Sequence, residues 1–298
     1  GCHWATATLR GSQPGGSVMD LCISNIAWSP EHDTEVANWM VGENIRNLEV
    51  APAKVVSPDQ EPARFTFKQA DTYRQFWQDH NIRIVAMQAL LYGAQESLHL
   101  FEHTGPYEDY LKRIIELSGL LGAKALVLGS PKQRTRGTRT WQHCIDVATP
   151  VLQRLGTFAQ QHHCQLNIEP NAPHYGCDFV NNLTEALELV NQVDQPGFGL
   201  HLDSAAMVTA EDWPDEWVSR LIPYFNHVHI SEDQLGPVGE CIDPLSVDLQ
   251  TSLISNLHFW NYSGAVSIEM TTTGSPLDHI KQAANYVKKL LRDTRPSE

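Results

Sequence analysis

Eight short apolar runs recur between Leu21 and Leu291, separated by longer stretches with the period of a helix. The runs are "LCISNIAW", "IRNLEVAP", "IRIVAMQ", "AKALVLGS", "CQLNIEP", "GFGLHLDS", "FNHVHIS" and "GAVSIEM". Each is strand-length and too short for an ordinary helix. Between them, "YEDYLKRIIELSGLLG" puts Tyr110, Ile114, Leu117 and Leu121 on one stripe, and "NLTEALELVNQV" and "PLDHIKQAANYVKKLL" show the same period. Gly122, and Pro196 with Gly197, supply helix stops. Strands that alternate with helices build a parallel sheet. A doubly wound sheet places a glycine-rich phosphate loop after its first strand, and "LCISNIAWSPEHD" has none. Eight strand–helix units instead fit an α/β fold of the (β/α)8 TIM barrel type, which typically takes about 250 residues.

Composition is uniform from Met19 onward, so residues 19–298 are expected to form a single barrel domain. Residues 1–18, "GCHWATATLRGSQPGGSV", lack a continuous apolar segment and end in a Gly/Ser/Pro-rich run, which reads as a disordered leader or an added extension. No stretch of about twenty apolar residues predicts a membrane span. The six cysteines are scattered without a C-x-x-C pair, as in a cytoplasmic protein with reduced thiols. The formal net charge of −14 argues against nucleic acid, whose phosphates call for clustered Lys and Arg. A small molecule is the expected partner. Self-association into a homo-oligomer stays open.

The last four strands carry chemistry. Their polar residues are spaced two apart and fall late: Asn167/Glu169, His201/Asp203, His227/His229 and Ser267/Glu269. The alternate residues Leu166/Ile168, Leu200/Leu202, Val228/Ile230 and Val266/Ile268 are apolar. In a barrel the apolar set faces the helices and the polar set faces the interior. The second residue of each pair then stands at the C-terminal mouth, where barrel enzymes keep their active sites. A lone strand-end carboxylate commonly pairs with Arg or Lys. Three converging with one imidazole instead repel until a cation joins them. Glu169, Asp203, His229 and Glu269 are therefore expected to hold one divalent metal ion. Mn²⁺ leads, Mg²⁺ and Co²⁺ suit the same donors, and Zn²⁺ is less favoured. His201 and His227, one layer deeper, are expected to orient a ligand or carboxylate.

These residues resemble the xylose isomerase-like TIM barrels, including the sugar phosphate isomerase/epimerase group and the ketose 3-epimerases. The carriers are "LNIEPN", "GLHLDSAAM", "HVHISED", "VSIEM" and "GSPKQR". The resemblance implies one divalent metal on Glu169, Asp203, His229 and Glu269, with Glu169 and Glu269 as paired acid/base groups. It departs at two places. Ala206 stands where the ketose 3-epimerases usually carry a histidine, and Leu235, beside Gln234, stands where they carry an arginine. Both groups hold the ketose there, so the simple free ketose is not carried over as substrate. Endonuclease IV, in the same superfamily, needs further histidines that "HISEDQLGPVGECIDPL" lacks after His229.

The implied activity is isomerisation or epimerisation of a sugar or sugar derivative by proton transfer through a metal-stabilised enediolate. A lyase, dehydratase or C-glycoside-cleaving enzyme begins with the same proton abstraction, and a non-catalytic sugar-binding protein is a third reading. Gln88, Asn171, His174 and His201 are candidate substrate contacts. "GSPKQRTRGTR" adds Lys132, Arg134, Arg136 and Arg139 in one basic loop suited to an anionic group, with Lys132 nearest the strand end. Arg136 and Arg139 equally suit a solvated loop. Trp28 and Trp141 can stack on a sugar or fill the core.

Overall fold

The computed structural model describes residues 19–240, 243–271 and 274–296. The expected leader, residues 1–18, lies outside the described residues, as do Cys2 and Cys241. The strands are β1 (Asp20–Ser24), β2 (Asn47–Val50), β3 (Arg83–Met87), β4 (Ala125–Leu128), β5 (Gln165–Ile168), β6 (Phe198–Leu200), β7 (Leu202–Asp203), β8 (His227–Ser231) and β9 (Ala265–Glu269). All pair in parallel, in the order β6-β5-β4-β3-β2-β1-β9-β8-β7. The two ends of that order, β6 and β7, are halves of one strand interrupted at His201. Phe198–Leu200 pairs with β5, and Leu202–Asp203 turns its hydrogen bonds to β8. The expected sixth strand is thus split where the barrel closes, its first half serving one neighbour and its second half the other.

Around the barrel run α1 (Asp33–Gly42), α2 (Phe67–Asp79), α3 (Thr104–Leu121), α4 (Trp141–Gln161), α5 (Leu183–Val193), α6 (Ser204–Ala210), α7 (Pro214–Leu221), α8 (Pro244–Phe259) and α9 (Pro276–Asp293). Two helices, rather than one, separate β7 from β8. On α3 the stripe Tyr110, Ile114, Leu117 and Leu121 is buried, and Gly122 ends the helix at φ 83°, a conformation that costs glycine nothing. Asn182 caps α5 by accepting from the Glu185 N–H. Among the described residues no helix is long and apolar enough to cross a membrane. Cys22, Cys144, Cys164 and Cys177 are free and buried.

The strand faces sort as the two-residue alternation predicts. Leu166, Ile168, Leu200, Leu202, Val228, Ile230, Val266 and Ile268 are buried in the apolar shell between sheet and helices. The inward face is polar instead: Asn167, His201, His227, His229 and Ser267 are all buried, with Glu49 among them from β2. Barrel interiors are usually filled with branched aliphatic side chains. A polar interior carries a desolvation cost and so marks where function is placed.

Candidate metal centre and its cavity

His229 lies midway along β8, fully buried. Its Nδ1 stands 3.3 Å from Glu269 Oε2, 3.7 Å from Glu169 Oε1 and 3.8 Å from Asp203 Oδ2. Donor atoms from these four residues all lie within 4.8 Å of one another. The convergence expected from the strand ends is present: Glu269 closes β9, Asp203 closes β7, and Glu169 directly follows β5. Asp203 also caps α6. Its Oδ1 accepts from the Ala206 N–H at 2.7 Å, and its Oδ2 accepts from Ser231 Oγ at 2.8 Å.

The group fits a divalent ion. His229 Nδ1 is buried without a hydrogen-bond partner and is aimed at three carboxylates. Burial, then the charges of Glu269 and Glu169, push the Asp203 carboxyl well above the usual carboxylate range. Burial alone pulls the His229 imidazole down, but Glu49 and Glu269 outweigh it and hold it well above its ordinary value. Both shifts describe excess negative charge awaiting a cation. Three carboxylates and one imidazole, with no thiolate, form a donor set suited to a divalent cation.

One oxygen of each glutamate is held by an amide. Gln88, one residue past β3, donates to Glu269 Oε2 at 2.5 Å. Asn171 donates to Glu169 Oε2 at 3.0 Å. Gly129 makes room for that carboxylate, since a Cβ there would come within 2.6 Å of Glu169 Oε2. The sequence suggests substrate contacts for both amide residues; the structure shows them bonded to the candidate ligands, with Asn171 also on the cavity wall.

The other candidates separate. A cavity of about 320 Å³ opens above the metal group, lined by Glu169, Asp203 and Glu269 at its floor. Lys132, Asn171, Tyr175, Ala206 and Leu235 line its wall. Lys132 is exposed at the rim, with no ion pair or hydrogen bond among the described residues. Arg134 is a correction to the anion-holding loop. Its guanidinium is 1 % exposed and donates to the carbonyls of Gly129 (2.9 Å), Glu169 (2.7 Å), Phe179 and, at 3.5 Å, Val180, and to Asn171 Oδ1 (2.8 Å). It ties the loop after β4 to the loop after β5 and has no donor left for a ligand. Arg139 lies over the Phe101 ring and pairs with Glu102 at 3.6 Å. His174 is exposed on the rim, bonded to Asp233 at 3.0 Å, while its neighbour Tyr175 lines the cavity. His201 is buried beneath the floor, its ring centroid 4.1 Å from that of His229, and neither ring nitrogen has a hydrogen-bond partner. It does not line the cavity. Trp28 is a buried core residue that donates to Asp33, and Trp141 is half-buried against Phe179; neither lines the cavity.

Glu49 is a site residue that the sequence reading misses. It is fully buried on β2, with both oxygens 2.9 Å from His229 Nε2. Ser267 Oγ donates to it at 2.6 Å, and His227 Nε2 lies 3.1 Å away. A signal exists: in "NLEV", Asn47/Glu49 alternate with Leu48/Val50 as the pairs of the later strands do.

A sequence profile for the xylose isomerase-like TIM barrel matches residues 46–290. The fold is similar to a 3-keto-D-glucoside 4-epimerase from E. coli, with a TM-score of 0.70 and 14 % identity over 91 % of this chain and 98 % of that one. It is similar to an L-ribulose 3-epimerase (TM-score 0.71, 14 % identity, 93 % and 95 % covered). It is also similar to an AP endonuclease of family 2 from Brucella melitensis (TM-score 0.69, 16 % identity, 90 % and 99 % covered). No curated protein matches the chain. At these identities the likeness is one of fold.

Proposed function

The chain belongs to the xylose isomerase-like TIM barrel family, and from that premise we propose that it is a divalent-metal-dependent isomerase or epimerase of a sugar or sugar derivative. The observation that carries the reading is the unpartnered His229 Nδ1 facing three carboxylates at the floor of a cavity. The similar folds of two sugar epimerases support it.

A bound divalent ion supplies an electrophile for a carbonyl oxygen and its neighbouring hydroxyl. The protein's share is proton transfer at the carbon beside that carbonyl. Glu169 and Glu269 approach the floor from β5 and β9, and each takes or returns a proton from its own side. Asn171 and Gln88 each fix one carboxylate in place, so that neither glutamate has to reorganise as the proton moves. Tyr175 and Lys132 stand on the wall where the rest of the substrate lies, and Lys132 suits an anionic group. Ala206 and Leu235 line the cavity where the 3-epimerases carry ketose-holding groups, which supports a sugar derivative over a free ketose. The net charge of −14 and the acids Glu232 and Asp233 on the cavity wall favour a small molecule over DNA.

The test is solvent-proton exchange. Metal-loaded protein is incubated in D₂O with a panel of ketoses, keto-glycosides and their phosphates. Deuterium entering a sugar carbon without loss of water, abolished by chelation, supports the reading. Exchange accompanied by loss of water would move it to the dehydratases, and no exchange across the panel would count against proton-transfer chemistry.

A further inference from the structure

One buried carboxylate is not used by the proposed chemistry. Glu49 has no lysine or arginine partner among the described residues, yet it is fully enclosed in the barrel. A carboxylate in that position costs several kcal/mol unless its surroundings return the energy, and an apolar or amide side chain would fill the space at less cost. Its neighbours are two imidazoles and one hydroxyl.

We propose that Glu49 is the positioning residue of the metal histidine, holding His229 in the tautomer that carries its proton on Nε2 and presents a bare Nδ1 lone pair to the ion. The proposal rests on the metal reading above. A carboxylate only accepts hydrogen bonds, so the His229 Nε2 that lies 2.9 Å from both its oxygens has to be the donor. A neutral imidazole has one proton, and with that proton on Nε2, Nδ1 is left as an acceptor. It is Nδ1, without any hydrogen-bond partner, that faces Glu169, Asp203 and Glu269. The opposite tautomer would set the Nε2 lone pair against a carboxylate and place a proton where the ion has to bind.

The ring has no freedom to escape this choice. His229 is fully buried, and the ring of His201 meets it edge-on at 4.1 Å. Glu49 is itself fixed by Ser267 Oγ at 2.6 Å. The arrangement is a carboxylate–imidazole–ion line, in which the acceptor behind the ring raises the basicity of the ligating nitrogen.

The test compares Glu49→Gln and Glu49→Asp with the wild-type protein. A glutamine amide can offer its own N–H to Nε2 and so admits the tautomer that blocks Nδ1. Affinity for Mn²⁺ and Zn²⁺, measured by competition with a chromophoric chelator, is expected to fall about 10- to 100-fold in Glu49→Gln. Circular dichroism should be unchanged, and Glu49→Asp should recover part of the loss. In the Zn²⁺-loaded wild-type protein, long-range ¹H–¹⁵N correlation spectra should find the His229 proton on Nε2. A folded Glu49→Gln that binds both ions within twofold of wild type overturns the positioning role, as does a spectrum with the proton on Nδ1. If Glu49→Gln does not fold, the wild-type spectrum decides alone. Wild-type protein that takes up neither ion overturns the metal reading and this role with it.

Discussion

The two halves of the barrel divide the work differently. From β5 to β9 the inward face carries Asn167, His201, His227 and His229, ending in Glu169, Asp203 and Glu269 at the mouth. From β1 to β4 the inward face is built largely from smaller groups such as Ser24, Ala86 and Val127, with Asn47 and Glu49 on β2 the exceptions. The small residues leave space for the imidazoles that come from across the barrel. The first half also supplies the side chains that hold the second half's donors: Glu49 behind His229, Gln88 on Glu269, and Arg134 on the carbonyl of Glu169. The ligands therefore have two origins of precision, their own strands and the opposite wall. Changes in the second half should abolish the chemistry, whereas changes in the first half should loosen it.

The largest effects are expected in the second half. Glu169→Gln and Glu269→Gln should each lower kcat by about 10²-fold or more, the scale of losing a general acid or base. Both residues are also candidate ligands, so metal content has to be measured in the same samples. His229→Ala should lose most of its metal. Full occupancy in that variant, or normal turnover in both glutamine variants with metal bound, would erase the contrast between the halves. Metal removal makes the same point through stability. An ion that binds only the folded protein adds about 2.7 kcal/mol at a hundred times its Kd, so chelation should lower the wild-type Tm and leave that of His229→Ala nearly unchanged.

Arg134 tests the first half's grip on the second. Arg134→Met keeps the volume but leaves the carbonyls of Gly129, Glu169 and Phe179 without their donor. Buried acceptors left unsatisfied cost about 1–3 kcal/mol each before relaxation, and water entering the gap reduces the sum. A destabilisation of about 2 kcal/mol by urea titration is expected, with weaker metal binding because Glu169 is no longer braced. Unchanged stability would mean that the two loops hold themselves.

How much of this is legible in the sequence follows the same division. The four candidate donors can be read because acids and histidines spaced two apart on successive strands share one inward face, where a cation would relieve their repulsion. Glu49 has that spacing, but a single acid in "NLEV" looks the same whether it faces solvent, a lysine or a histidine of another strand. Only the closure of the barrel, which brings β2 against the side chains of β8 and β9, tells these apart. Arg134 misleads for a related reason: a basic loop on an acidic chain suggests an anion, and backbone carbonyls as partners leave no trace in sequence. The break of the sixth strand at His201 is hidden because hydrophobicity reports burial and is blind to which neighbour receives the hydrogen bonds.

Lys132 probes the rim where the two halves meet. Its ammonium is the one cation from the basic loop that lines the cavity. Lys132→Ala should raise KM for an anionic substrate about three- to tenfold with kcat little changed, the pattern of lost uniform binding. The effect should shrink as salt is added, because an exposed charge is screened. Equal KM values for neutral and anionic substrates in the wild-type protein would leave Lys132 a solvated rim residue.

The smallest effect belongs to a contact that joins the halves far from the mouth. Glu108 on α3 accepts from Arg154 on α4 at 2.9 and 2.7 Å, and Lys112 lies 3.1 Å from its Oε1. The hydrogen bonds from Arg154 outweigh the upward push of burial and, with those from Lys112, hold the Glu108 carboxyl below its ordinary value. The sign follows from linkage: a depressed carboxyl pKa adds stability above the unfolded value, about 4.3 for glutamate, and that stability drains away as pH falls through the lower folded value. Arg154 is more than half exposed, so solvent screens the pair and its worth should stay below about 1 kcal/mol. Glu108→Gln should therefore be slightly less stable than wild type at pH 7 and should converge with it in acid, while metal affinity stays the same at both pH values. A variant that lost metal along with this remote pair would show that the helices, and not the side chains crossing the barrel, keep the two halves in register.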